Sequence, residues 1–174
     1  MTRQAIRRQA ARTLLLVGEG DAEEMFLRHL KGLFVVRGSG LSVTIKNARG
    51  KGAAHVVDFA HRHSLNAAFD EVAALLDADT DWNDKTRAAA KRAKVQVVVC
   101  DPCLEALLLQ LHAVPVEGKH TQQLKQDFAA RFGGPAHDQR VLQQFSSVDW
   151  VAAGAKLPVM ASLLKYLGSH TAKR

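Results

Sequence analysis

The sequence is short of several things, and each shortage excludes a class of protein. Two cysteines in 174 residues are too few for a disulfide framework. No apolar run approaches the roughly 20 residues that a membrane-spanning helix requires. The first twelve residues carry Arg3, Arg7, Arg8 and Arg12, yet no apolar core of about 7–15 residues follows them as it would in a secretory signal. Internal repeats and low-complexity tracts are absent as well. The expectation is a cytoplasmic protein with no membrane partner.

Acidic residues are the minority charge. Seventeen Asp and Glu stand against twenty-four Lys and Arg, for a net charge of +7 and a pI near 9.7. That balance favours an anionic partner, nucleic acid first. A hydrophobic fraction of 47% with 24% charged residues is ordinary for a chain that folds on one core, and too apolar for wholesale disorder.

What is present alternates between strand and helix. Thr13–Val17 is a continuous apolar run closed by Gly18-Glu19-Gly20, as in a buried parallel strand. Asp21 opens a helix, paired with Glu24 in a capping-box-like spacing, with Met25, Phe26, Leu30 and Leu33 as its apolar stripe. Leu41–Ile45 alternates as a second strand, and the basic, glycine-rich loop Asn47–Gly52 leads to a helix over His55–His63. Ala68–Leu76 fits a helix or a strand. The acidic turn Asp77-Ala78-Asp79-Thr80-Asp81 behind it favours a third strand. Asn83–Lys94 reads as a short basic helix, and Val95–Cys100 as a β-branched fourth strand. Asp101 as N-cap and Pro102 at the first helical position start a nearly all-apolar helix over Cys103–Ala113. Residues 114–174 are mostly helical in pattern. The division is a basic extension over 1–12, an α/β domain over 13–113, and a C-terminal helical segment over 114–174 packed on it. The fold class is α/β, a mostly parallel sheet of about four strands flanked by helices.

In such sheets the reacting groups lie just past the carboxyl ends of the strands, where Glu19, Asp77, Asp79 and Asp101 fall. Gly18-Glu19-Gly20 is not a dinucleotide fingerprint, because Glu23 stands where the third glycine belongs. A carboxylate at Glu19 would repel a pyrophosphate and suits a cation instead. Mg2+ takes oxygen ligands, usually one or two carboxylates with water and substrate phosphate, and Glu19, Asp77 and Asp79 meet that demand. The acidic turn reads equally as a solvated one. Glu23 and Glu24 also suit a first helical turn by charge alone. Glu105 is the one acid in the most apolar helix and needs a partner or a place at the strand-end site; His112, seven residues on, is one such partner. Cys100-Asp101-Pro102-Cys103 is a C-x-x-C at a strand-to-helix junction, the position at which a helix N-terminus lowers a thiol pKa, so a thiol redox protein stays open as a minor alternative. As a zinc site it lacks a second ligand pair, and His55, His61 and His63 do not supply one.

Leu15-Leu16-Val17-Gly18-Glu19-Gly20-Asp21-Ala22-Glu23-Glu24, with Phe26 behind it, resembles the opening motif of Toprim-like proteins of the RloB and OLD-related group. Asp77-Ala78-Asp79 looks like that family's DxD. Asp101-Pro102-Cys103-Leu104-Glu105 through Leu111-His112 looks like the RloB signature Asn-Pro-Cys-Phe-Glu with its leucine-rich helix and His. The likeness spans about residues 13 to 113. Asp101 stands in place of Asn, Asp21 in place of Thr, and Ala106 and Gln110 in place of larger apolar residues.

The resemblance implies a Toprim fold with Glu19, Asp77 and Asp79 as ligands of Mg2+ (or Mn2+). It implies a metal-dependent nuclease acting on DNA or RNA phosphodiesters, in a phage-defence or mobile-element setting. Glu19, Glu23 and Glu105 are the candidate catalytic acids. Arg49, Lys51, Lys85, Arg87, Lys91 and Arg92 are the candidate phosphate contacts. An ATPase partner protein and a homodimer are further expectations. The alternative is a non-catalytic module on the same scaffold that binds nucleic acid or a partner.

Overall fold

The computed structural model of the chain describes residues 11–78, 81–146 and 148–168. Four strands, β1 (Arg12–Gly18), β2 (Leu41–Asn47), β3 (Glu71–Asp77) and β4 (Gln96–Cys100), form one sheet in the order β2-β1-β3-β4. Every pairing is parallel, with Leu16 opposite Ile45 and Ala73, and Asp77 opposite Cys100. Parallel neighbours need crossovers, and these are α1 (Asp21–Phe34), α2 (Ala53–Asn66) and α3 (Asp84–Arg92). Beyond β4 come α4 (Leu104–Leu111), α5 (Thr121–Phe132), α6 (Gln139–Leu142) with a 3-10 turn at Gln143–Phe145, α7 (Trp150–Lys156) and α8 (Pro158–Tyr166). The architecture is α/β with a Rossmann-like parallel sheet.

Alternation along the strands divides the core in two, because successive side chains point to opposite faces. Leu14, Leu16, Val43, Ile45, Ala73, Leu75 and Val98 face α1 and α4 to α8, where Phe26, Leu104, Leu108, Phe128, Phe145 and Leu163 fill one continuous cluster. Leu15, Val17, Val72 and Ala74 face α2, closing a smaller cluster with Val56 and Ala60. The C-terminal helices therefore share the larger core with the sheet. Because both faces are covered, the strands read as apolar runs.

The elements depart from the sequence expectations in several places, each with a local cause. Arg12 opens β1 instead of ending a lead-in. Its guanidinium holds the Glu71 carboxylate with two bonds (3.0 and 2.8 Å) and donates to the Tyr166 carbonyl at 3.1 Å. Residues 1–10 of the basic extension lie outside the described residues. The third strand starts at Glu71, after Asp70 accepts from the Thr13 backbone N–H and hydroxyl. The N-cap of α1 is Gly20, so Glu23 and not Glu24 makes the capping box, its Oε2 accepting from Gly20 N at 2.9 Å. Asp21 accepts from Asn47 Nδ2 instead. Leu33 lies outside the apolar stripe, 38% exposed, and Leu27 takes its place. The fourth helix begins at Leu104 with Cys103 as N-cap, not at Pro102. Ala78 N bonds both the Cys100 and Pro102 carbonyls and so holds the intervening residues out of the helix. The Asp101-Pro102 peptide is cis.

Candidate active site

The strand order places the topological switch between β1 and β3, because the chain leaves β1 toward β2 on one side and returns past it to β3 on the other. Glu19 is the residue after β1, and Asp77 is the last residue of β3. The two are joined directly. Glu19 Oε2 accepts from Asp77 N at 3.3 Å, and Glu19 N donates to the Leu75 carbonyl at 3.0 Å. The next loop holds Glu19 from behind, since Gly50 N donates to the Glu19 carbonyl at 2.7 Å.

Asp77 has the parity of Ala73 and Leu75, so it turns toward α4 and α5. It is buried, with Oδ1 accepting from Leu104 N at 2.9 Å and Oδ2 lying 3.9 Å from Lys125 Nζ. Burial pushes its carboxyl up to about 8, with Glu23 and Glu105 adding to the rise and Lys125 and the Leu104 N–H opposing it. Glu23 comes in from the first turn of α1 and is buried too. Its carboxyl is raised mainly by that burial, resisted by backbone N–H groups and reinforced by Glu105 and Glu19. Glu105 enters from the first turn of α4, buried, with Oε2 lacking a hydrogen-bond partner among the described residues. Three segments thus bring Glu19, Glu23, Asp77 and Glu105 to one end of the sheet.

His112 is not the partner of Glu105. Seven residues along a helix is about 10 Å of rise. The His112 ring is held instead between Phe132 and Phe145, at centroid distances of 5.0 and 4.7 Å. Asp101 is exposed. Asp79 lies outside the described residues. Asp81 is not a free member of an acidic turn: its Oδ1 accepts from Ala53 N at 2.6 Å and caps α2.

The C-x-x-C pair departs from a thiol redox site in its ionisation. Both cysteines are free and buried. Burial raises the Cys100 thiol far above its usual range, with Asp77 next in effect, and pushes Cys103 up to about 12. Next to a cluster of carboxylates, the helix N-terminus does not deliver a thiolate.

The basic candidates do not form one patch. Arg49 and Lys51 lie exposed on the β2–α2 loop, and Lys85 and Arg87 on the first turn of α3, all at the end of the sheet that carries the carboxylates. Lys91 and Arg92 close α3 at its far end. Arg87 is already engaged, its Nη1 2.7 Å from Asp84 Oδ1. Sequence reasoning missed Lys125, and nothing in the α5 sequence marks it: it is one lysine on an amphipathic helix, and only the docking of α5 brings it to Asp77.

Several features bear on whether a cation fits. Among the described residues no group of three or more His, Cys, Asp or Glu side chains is arranged to hold a metal ion, so a closed cage of protein ligands is not built. An orphaned Glu105 oxygen beside buried carboxyl groups is a donor set of the kind that a partly hydrated ion with only one or two carboxylate ligands would use. Glu19 and Asp77 are the residues that would hold it.

An open parallel α/β sheet with a cluster of buried acids at its switch point defines the class of this protein. Comparisons with family models, with curated proteins and with solved structures find no match. No helix among the described residues is long and apolar enough to cross a membrane.

Proposed function

We propose that the acidic cluster is the active site of a Toprim-type nuclease that hydrolyses nucleic-acid phosphodiesters with Mg2+ or Mn2+. The observation that carries this reading is the convergence of Glu19, Glu23, Asp77 and Glu105 just past the paired ends of β1 and β3, with Asp77 displaced far from its usual ionisation. Burying a carboxylate, and placing others beside it, is costly unless a proton or a cation answers the charge. Bound there, a divalent ion would polarise the phosphodiester and activate a water. Glu23 and Glu105 are the groups able to take the proton of that water and return one to the leaving oxygen as the ester bond breaks. Arg49 and Lys51, exposed on the loop that braces Glu19, would neutralise adjacent phosphates.

A second reading is favoured by Lys125. Its ammonium, 3.9 Å from Asp77 Oδ2, serves as an internal counter-ion and makes the cluster self-sufficient in a module that binds nucleic acid without cutting it.

Labelled DNA and RNA incubated with Mg2+ or Mn2+, with EDTA controls, separate the two. Asp77→Asn and Glu19→Gln are the variants of choice. Asparagine at 77 still accepts from Leu104 N, so α4 keeps its cap. Cleavage that requires metal and falls at least about 100-fold in both variants supports the nuclease. Binding with no cleavage by wild type supports the module.

A further inference from the structure

Trp82 is the residue that neither the core nor the acidic site accounts for. It is half-buried, yet it belongs to neither hydrophobic cluster. The other tryptophan, Trp150, is 8% exposed and lies in the larger core against Phe34. A cation lies over the Trp82 ring: Arg87 Cζ is 5.6 Å from the ring centroid, and that guanidinium also pairs with Asp84. An indole outside the core with a guanidinium over its ring offers the kind of aromatic surface on which flat rings stack.

Its place in the fold says which flat rings those are. The residue before it, Asp81, is bonded to Ala53 N at 2.6 Å. Gly52 at this junction has φ +83°, and a Cβ there would lie 2.5 Å from Asp81 Oδ1, so the two loops are in close contact. Lys51 precedes that junction on one strand-end loop, and Trp82 follows it on the other. Two residues before Gly52, Gly50 N bonds the Glu19 carbonyl. The loop that bears Lys51 is thus bonded on one side to the loop that bears Trp82 and on the other to the turn that bears Glu19.

We infer that Trp82, with Arg87 beside it, is a stacking platform for an unpaired nucleobase, and that single-stranded nucleic acid is what approaches the acidic cluster. Bases stack on aromatic side chains only when splayed from a duplex, and the contact tolerates any sequence because every base has a π-face. Lys51 meets the neighbouring phosphate, and the backbone then runs toward Glu19. The inference rests on the nucleic-acid part of the proposed function and not on hydrolysis.

The test is binding measured in EDTA, by intrinsic fluorescence and by anisotropy. The probes are labelled oligodeoxythymidine, oligouridine and a blunt DNA duplex of the same length. Single strands are expected to quench the Trp82 emission while Trp150 persists. Trp82→Ala should weaken single-strand binding about tenfold, and Trp82→Phe should retain most of it. Duplex affinity should be nearly unchanged by Trp82→Ala. The difference between the thymidine and uridine probes assigns the platform to DNA or to RNA. Equal single-strand affinity in wild type and Trp82→Ala overturns the inference, as does absence of binding by either single strand. Because no metal is present, failure of cleavage leaves this result untouched. A nuclease that cuts normally with Trp82→Ala and binds single strands unchanged loses only the platform.

Discussion

At the scale of single residues, Asp77 connects local geometry to stability. Its folded carboxyl titrates at about 8, whereas an unfolded aspartate titrates near 4. Between those values the folded chain holds a proton that the unfolded chain has released. Stability is therefore fully present below about pH 4 and falls as the pH rises toward 8, by up to about 1.4 kcal/mol per pH unit from this group. In EDTA, wild type should show a lower urea midpoint at pH 8 than at pH 5. Asp77→Asn, which has no proton to lose, should flatten that slope and be the more stable protein at pH 8. A wild-type midpoint that does not fall over this range would show that the acidic cluster holds its charge by other means. Glu19, Glu23, Asp77 and Glu105 could all be named from sequence, because acids after apolar strands or inside an apolar helix are conspicuous. Lys125 and Trp82 could not, since their neighbours on the chain say nothing of the groups they meet.

At the scale of elements, the turn from β1 into α1 constrains the site through backbone that cannot give way. A Cβ on Gly18 would lie 2.6 Å from Glu24 N and 3.0 Å from Glu23 Cβ. These atoms belong to the first turn of α1 and move only if the helix does. Gly18→Ala is expected to cost about 1–3 kcal/mol of stability, read from denaturant unfolding. It should also reduce any metal-dependent cleavage, because it shifts Glu23 relative to Asp77. The strands and the first four helices were legible because their apolar runs are bounded by glycine, acids or β-branched stretches. Their ends shifted where long-range bonds intervened: Asp70 holding Thr13, Glu23 closing on Gly20, and Ala78 holding Cys100 and Pro102.

At the scale of the whole molecule, the helices after residue 113 are part of the core and not an appendage. Phe128, Phe145, Met160 and Leu163 are essentially buried against the face that carries Leu104 and Leu108. A chain ending at Ala113 would expose that face. It should lose cooperative thermal unfolding and near-ultraviolet circular dichroism, and bind a hydrophobic dye, while keeping part of its secondary structure. Cooperative unfolding of that shortened chain would mean that the sheet and α1 to α4 form an independent domain. The same helices bring Lys125 to Asp77, so stability and site chemistry are joined through α5.

The sequence by itself determined the parallel α/β class, the four strands and the acids at their ends, because those follow from periodicity and from the placement of charge after apolar runs. Tertiary structure alone decided which of those acids face one another. Strand order put β1 beside β3, parity along β3 turned Asp77 toward α4, and packing of α5 supplied a cation from some fifty residues away. Contacts of that kind depend on the relative placement of whole elements, which no local pattern of residues encodes.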